Sequence, residues 1–148
     1  MKIVLGNDHA GLEMKLHVKK WLTENGFDVE DMGTHSIDPV DYPDYAHKVA
    51  EIVGGNMCLK GILVCGSGQG VTFTANKHQR IRATLCWTEE IARLSREHND
   101  ANILCLPGRF VEMKDAIEIT KVFLETSFEG GRHQKRIDKV SLPNLKSI

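Results

Sequence analysis

The sequence predicts an α/β protein, a Rossmann-like three-layer α/β/α sandwich on a five-stranded, mainly parallel sheet. Three observations lead there. Short apolar runs of strand length alternate with longer segments of helical periodicity, the pattern of successive βαβ units. The runs read as buried strands, Gly61-Ile62-Leu63-Val64-Cys65 most plainly, as expected where helices cover both faces of a sheet. Polar residues gather just after the strands, where open parallel sheets bind their ligands.

In order, Lys2–Leu5 reads as the first strand, Phe27–Asp31 as the second and Gly61–Cys65 as the third. Arg82–Trp87 and Asn102–Leu106 supply the fourth and fifth. Leu12, Leu16 and the pair Trp21-Leu22 recur at roughly helical spacing and stop at Asn25-Gly26, a good helix C-cap. Further helices are expected over Tyr42–Val53, Val71–Asn76, Glu89–Glu97 and Val111–Thr126. Thr88, ahead of Glu89-Glu90, reads as an N-cap with acids at the positive end of the helix dipole. The stretch Asp31–Pro43, with Gly33, Pro39 and Pro43, is a loop within the domain. After Gly130-Gly131 the polar tail, residues 129–148, is either a last helix on the same domain or an arm for a partner subunit. Residues 1–148 are read as one domain.

Composition narrows the function. With 19 Lys+Arg against 20 Asp+Glu the formal charge is −1, so neither a basic nucleic-acid arm nor a polyanionic tail dominates. Hydrophobic residues make up 41% and charged ones 26%, enough apolar material for a real core. No run approaches the ~18–20 apolar residues of a membrane span. The N-terminus turns polar at Asn7-Asp8-His9, too soon for a signal peptide, so a cytoplasmic protein is expected. Cys58, Cys65, Cys86 and Cys105 include no C-x-x-C pair, and the seven histidines form no H-E-x-x-H. Cys58, Cys86 and Cys105 are expected to pack as small hydrophobes.

The glycine loop Gly66-Ser67-Gly68-Gln69-Gly70 follows the third strand and its Cys65. Its amides can converge on one anion, helped by the helix N-terminus that follows. It is not a P-loop, because Val71 stands where a lysine is needed, and its glycines are one residue short of a dinucleotide fingerprint. Cysteine-phosphatase chemistry would need an arginine where Val71 stands. Two readings remain open. One is a plain phosphate cradle beside an incidental cysteine. The other is an oxyanion loop beside a thiol that serves as base, since a thiol at a helix N-terminus ionises more readily than a free one.

Further along, Arg132 and Arg136 stand four residues apart, so on a helix they share one face and can grip one anion. Equally, they could form an ordinary solvated basic face. His98 could do no more than cap its helix, and Asp8-His9 could be a simple N-cap pair.

Six segments in order resemble a known family. They are Asn7-Asp8-His9-Ala10-Gly11, Asp41-Tyr42-Pro43-Asp44-Tyr45-Ala46, Cys65–Gly70, Ala75-Asn76-Lys77, Ser95–Asn102 and Glu129-Gly130-Gly131-Arg132-His133. Together they look like the B-type ribose-5-phosphate isomerases, a family that also holds the bacterial galactose-6-phosphate isomerase subunits. The resemblance implies interconversion of ribose 5-phosphate and ribulose 5-phosphate through a cis-enediolate, with no metal or organic cofactor. It implies Cys65 as the base, and the amides of Gly66, Ser67, Gly68, Gln69 and Gly70 as the enediolate cradle. His98 would open the furanose ring, while Asp8 and Asn99 would hold sugar hydroxyls. His9, Arg109, Arg132 and Arg136 would hold the phosphate. Many relatives carry Thr where this chain has Ser67, and one branch replaces the cysteine by a Glu at the position of Val71. It further implies a homodimer or tetramer whose sites combine residues of two subunits, with residues 129–148 at the interface. The alternatives are an isomerase of a hexose 6-phosphate, allose or galactose, or a non-catalytic module that binds a phosphorylated ligand.

Overall fold

The computed structural model describes residues 1–57 and 59–143; Cys58 and the last five residues of the tail lie outside the described residues. Five strands form one sheet: β1 (Lys2–Asn7), β2 (Asp28–Asp31), β3 (Lys60–Cys65), β4 (Ala83–Leu85) and β5 (Ile103–Pro107). Among the described residues six α-helices surround it: α1 (Leu12–Glu24), α2 (Tyr42–Gly55), α3 (Gln69–Ala75), α4 (Glu89–Glu97), α5 (Met113–Glu125) and α6 (Arg132–Ile137). The strand order is β2-β1-β3-β5-β4, and every pairing is parallel. Among the described residues no helix is long and apolar enough to cross a membrane.

Strand alternation builds two cores from one sheet. Ile3, Leu5, Ile62, Val64, Leu104 and Leu106 point to one side, where Met14, Val18 and Leu22 of α1 and Ile119 and Phe123 of α5 cover them. Val4, Leu63, Cys65, Ile103 and Cys105 point to the other, against Val49 and Val53 of α2 and Val71 and Ala75 of α3. Cys65 therefore ends β3 on the α2–α3 side.

The chain reverses its winding between β1 and β3. β2 is added on one side of β1, and everything after it on the other. The carboxyl ends of these two neighbouring strands flank the crevice where such sheets bind ligands.

Element ends depart from the sequence reading for local reasons. β4 is three residues, not the six of Arg82–Trp87. On its N-terminal side the Arg82 amide donates to the Asn102 side chain, and after Cys86 the exposed Trp87 leads into the Thr88 cap of α4. Thr88 accepts from the Ile91 amide, as expected of that cap. α3 starts at Gln69, two residues early, because Gly68 (φ +75°) provides its left-handed N-cap. α5 starts at Met113, because Val111 closes a turn onto the Pro107 carbonyl. The described part of the tail packs against its own chain: beyond α6 the Ser141 hydroxyl and Leu142 amide bond to Gln79.

Candidate active site

A cavity of about 460 Å³ opens at the ends of β1 and β3. Asp8, His9, Cys65, Gly66, Ser67, Gly70 and Arg109 line it, seven of the residues singled out from sequence. Each is set by its strand end. Asp8 is nearly buried, donates its amide to the Val64 carbonyl and accepts from the Gly11 amide 3.0 Å away. His9 follows it, and the Val40 amide donates to its Nδ1 at 3.2 Å. In the neutral ring the proton therefore sits on Nε2, which leaves a donor available to a ligand.

Cys65 is 4% exposed at the floor. The amides of Gly66, Ser67 and Gly68 beside it donate to no other group among the described residues. Two of these unspent donors, those of Gly66 and Ser67, belong to residues that line the thiol-bearing cavity, which is what an anion needs. The Ser67 hydroxyl accepts from the Gln69 amide at 3.3 Å. Arg109 reaches the cavity through a tight turn after β5, in which the Gly108 amide bonds to the Cys65 carbonyl and the Arg109 amide to Gly66. Its guanidinium lies over Gly66.

Two residues expected in the cradle sit elsewhere. Gly68 is buried beneath the loop, where a side chain would run into Leu85, and Gln69 is exposed. They shape the loop without lining the cavity.

Tyr42, Ala10 and Phe110 line the cavity although sequence reasoning did not place them there. Tyr42 carried a signal: it stands in the quoted Asp41-Tyr42-Pro43 segment and opens α2. Its ring lies so close to Gly70 that a methyl group there would come within 2.5 Å of it. Phe110 is 63% exposed and pairs with Trp87 at a centroid distance of 5.6 Å. No periodicity marks such a rim residue.

His98, Asn99, Arg132 and Arg136 do not line this cavity. His98, Arg132 and Arg136 gather instead around His133 as a second cluster. His98 caps the C-terminus of α4, and the Glu129 amide bonds to the Glu97 carbonyl, which brings the Gly130-Gly131 turn and α6 beside it. Arg96 fastens the same junction, bonding to Asp100, to the Ala101 carbonyl and to the Thr126 carbonyl. Arg132 and Arg136 lie one turn apart on α6, and neither has an ion-pair partner among the described residues. Asn99 faces a separate cavity of about 520 Å³, shared with Asn76, Lys77, Arg82 and Ile137.

His133, the other residue missed from sequence, is buried on α6 and stacks on His98 with centroids 4.3 Å apart and planes 12° apart. Burial lowers its pKa, helped by the charges of His98 and Arg132. Glu129 Oε2 is 3.3 Å from its Nε2, an ion-pair distance, but that buried nitrogen has no hydrogen-bond partner. The ligand atoms of His98, Glu129 and His133 lie within 4.8 Å of one another. They are nevertheless a poor metal site as arranged, because an ion must lie near the plane of each imidazole it binds, and stacked planes do not meet.

Residues 3–140 match the family described as ribose/galactose isomerase, a span that includes both clusters and all five strands. The chain belongs to that family. Among its members, ribose-5-phosphate isomerase B of Escherichia coli (strain K12) is 42% identical over 140 residues, covering 95% of this chain and 94% of the relative. A probable ribose-5-phosphate isomerase B of Mycoplasma pneumoniae is 45% identical over 139 residues, covering 93% and 91%. The crystal structure of a ribose 5-phosphate isomerase from Thermotoga maritima superposes with a TM-score of 0.93 at 48% identity, covering 95% of this chain and 97% of that one. The Mycoplasma genitalium ribose-5-phosphate isomerase B, solved with bound ribulose-5-phosphate, superposes at 0.92 and 44% identity, covering 94% and 93%. The five-stranded parallel α/β fold is shared with this isomerase family.

Proposed function

We propose that the chain is a ribose-5-phosphate isomerase, interconverting D-ribose 5-phosphate and D-ribulose 5-phosphate through a cis-enediolate. The observation that carries this is the juxtaposition of the Cys65 thiol, the free amides of Gly66 and Ser67, and the cationic Arg109 in one cavity. The names of its relatives support the same substrate.

The chemistry divides into two steps. Ribose 5-phosphate is closed as a furanose, so His98 first gives a proton to the ring oxygen as its bond to C1 breaks, and the C1 hydroxyl gives its proton to solvent to become the aldehyde. The Cys65 thiolate then takes the proton from C2 and returns it to C1, while the O2 hydroxyl proton passes to O1, so that the carbonyl moves from C1 to C2. Negative charge that develops on the carbonyl oxygen falls to the amides of Gly66 and Ser67, with the Ser67 hydroxyl assisting. Asp8 and Asn99 bind sugar hydroxyls, and the phosphate is held by the Nε2–H of His9 together with Arg109, Arg132 and Arg136.

One subunit does not hold all these groups around one cavity. In this reading two copies of the chain pair so that His98, Asn99, Arg132 and Arg136 of one complete the Cys65 cavity of the other. The separation of the two clusters within a subunit supports that arrangement.

Incubation with ribose 5-phosphate in the presence of a metal chelator should form ribulose 5-phosphate. Cys65→Ala should lower the rate by about 10²–10⁴-fold, the worth of a general base, with an unchanged unfolding midpoint. Full turnover by that variant, or none by the native chain, would overturn the reading. The family description also covers galactose, so specificity constants for ribose, allose and galactose phosphates belong in the same experiment.

A further inference from the structure

A pair of histidines lies apart from both clusters. His47, exposed on α2, brings its Nδ1 to 2.8 Å from Nε2 of His78, which follows α3. The ring centroids are 5.1 Å apart and the planes are inclined by 59°. These planes converge, in contrast to the stacked pair of His98 and His133.

As drawn, one ring donates a hydrogen bond to the other. The same two nitrogens can instead share a metal ion. With His47 protonated on Nε2 and His78 on Nδ1, both lone pairs are free and no proton need be lost. The spacing selects the metal. Metal–imidazole bonds are about 2.0–2.1 Å, so nitrogens held 2.8 Å apart subtend about 86° at the ion. A tetrahedral ion would want them about 3.3 Å apart, whereas square-planar and octahedral ions want neighbouring ligands near a right angle. The side chains need only swing so that their lone pairs meet beside the line joining them.

We infer that His47 and His78 form a two-imidazole site for a divalent ion that prefers right-angled ligands, copper(II) or nickel(II). Glu51, one turn after His47 on α2, lines a hollow of about 250 Å³ with His78 without joining the pair as a third ligand, so water completes the coordination. Arg80 lines the same hollow and opposes a cation, which holds the affinity below that of a closed structural site. The ion would cross-link two elements that both serve the Cys65 cavity: α2 begins with Tyr42, and α3 begins in the glycine loop.

Nickel(II) is the probe, because copper would also oxidise thiols. Equilibrium dialysis should find a saturable nickel ion bound per native chain that is absent from His47→Gln and from His78→Gln. At 100-fold excess over its dissociation constant, nickel should raise the native Tm by about 5–10 °C. The metal-free Tm of each variant reports that it is folded. His133→Gln should bind nickel as the native chain does, since the stacked cluster is not the site. Saturable binding retained by both single variants, loss in His133→Gln, or no binding by the native chain would each overturn the inference. Zinc binding tighter than nickel would overturn the right-angled geometry on which it rests.

Discussion

His133 lies flat against His98, ring on ring, with its Nε2 buried and turned towards Glu129. Burial, reinforced by the positive charges of His98 and Arg132, holds its pKa below the usual histidine range. An imidazole kept neutral in this way offers a stacking face without adding charge beside the residue proposed to give up a proton.

The sign of the resulting pH effect is fixed. Between the lowered folded pKa and the unfolded value near 6.5, the unfolded chain binds more protons, so stability rises with pH through that window. His133 should therefore weaken the fold as pH falls below about 6.5 and have no such effect above it. Urea midpoints measured from pH 7.5 down to 5 check this. The decline should be shallower in His133→Gln.

Ring opening and isomerisation can be separated through the substrates. Ribulose 5-phosphate carries its phosphate on the hydroxyl that would close a furanose, so it enters open. In His98→Gln, turnover of ribose 5-phosphate should become limited by uncatalysed opening, and its rate should stop rising with enzyme concentration. Initial rates from ribulose 5-phosphate should keep rising. Equal loss from both sugars would assign His98 to another step.

If two subunits share each site, inactive variants should rescue one another. Cys65→Ala and Arg136→Ala subunits, unfolded together and refolded as a mixture, would form mixed dimers with one intact site in two. Random pairing then restores about one quarter of the native activity. A mixture no more active than its components would place both residues in one subunit's site.

Asp31 anchors the loop that runs beside β1. Lys15, 1% exposed, and Lys19 both bond to its carboxylate, and the Gly33 amide adds a third donor. Burial by itself would raise its pKa, but these donors outweigh it and hold the carboxyl below its usual range. The ionised form thus stabilises the fold above the unfolded value near 3.8, and that contribution is lost as pH falls through the lower folded value. Asp31→Asn leaves the Lys15 charge buried without its counterion. The loss should be on the order of 3 kcal/mol at pH 7, read from urea unfolding. It should shrink towards pH 3.

The fold was legible because the strands alternate faces under continuous burial: Ile62-Leu63-Val64-Cys65 names both cores at once. Caps were legible too, Thr88 among them, because a side-chain oxygen and its amide are close in sequence. Cys65, Ser67 and Arg109 could be singled out because the topology places strand ends in one crevice. Tyr42, Phe110 and His133 were not, since each contributes through a neighbour distant in sequence. The stack of His133 on His98 depends on the Glu129 amide reaching Glu97, a contact that no spacing rule announces. The brevity of β4 was hidden for a similar reason, as the Asn102 side chain takes the Arg82 amide from the ladder.

Arg96 binds carbonyls on both flanks of the second cluster, at Ala101 and at Thr126. The loop after His98 and the stretch leading to α6 are thereby riveted to one guanidinium inside the subunit. The backbone that carries His98 and the segment that leads to α6 are thus fixed relative to each other as the chain folds. If α6 holds the phosphate as proposed, only the exposed side chains of Arg132 and Arg136 are left to order on encounter, the backbone that carries them being set when the chain folds.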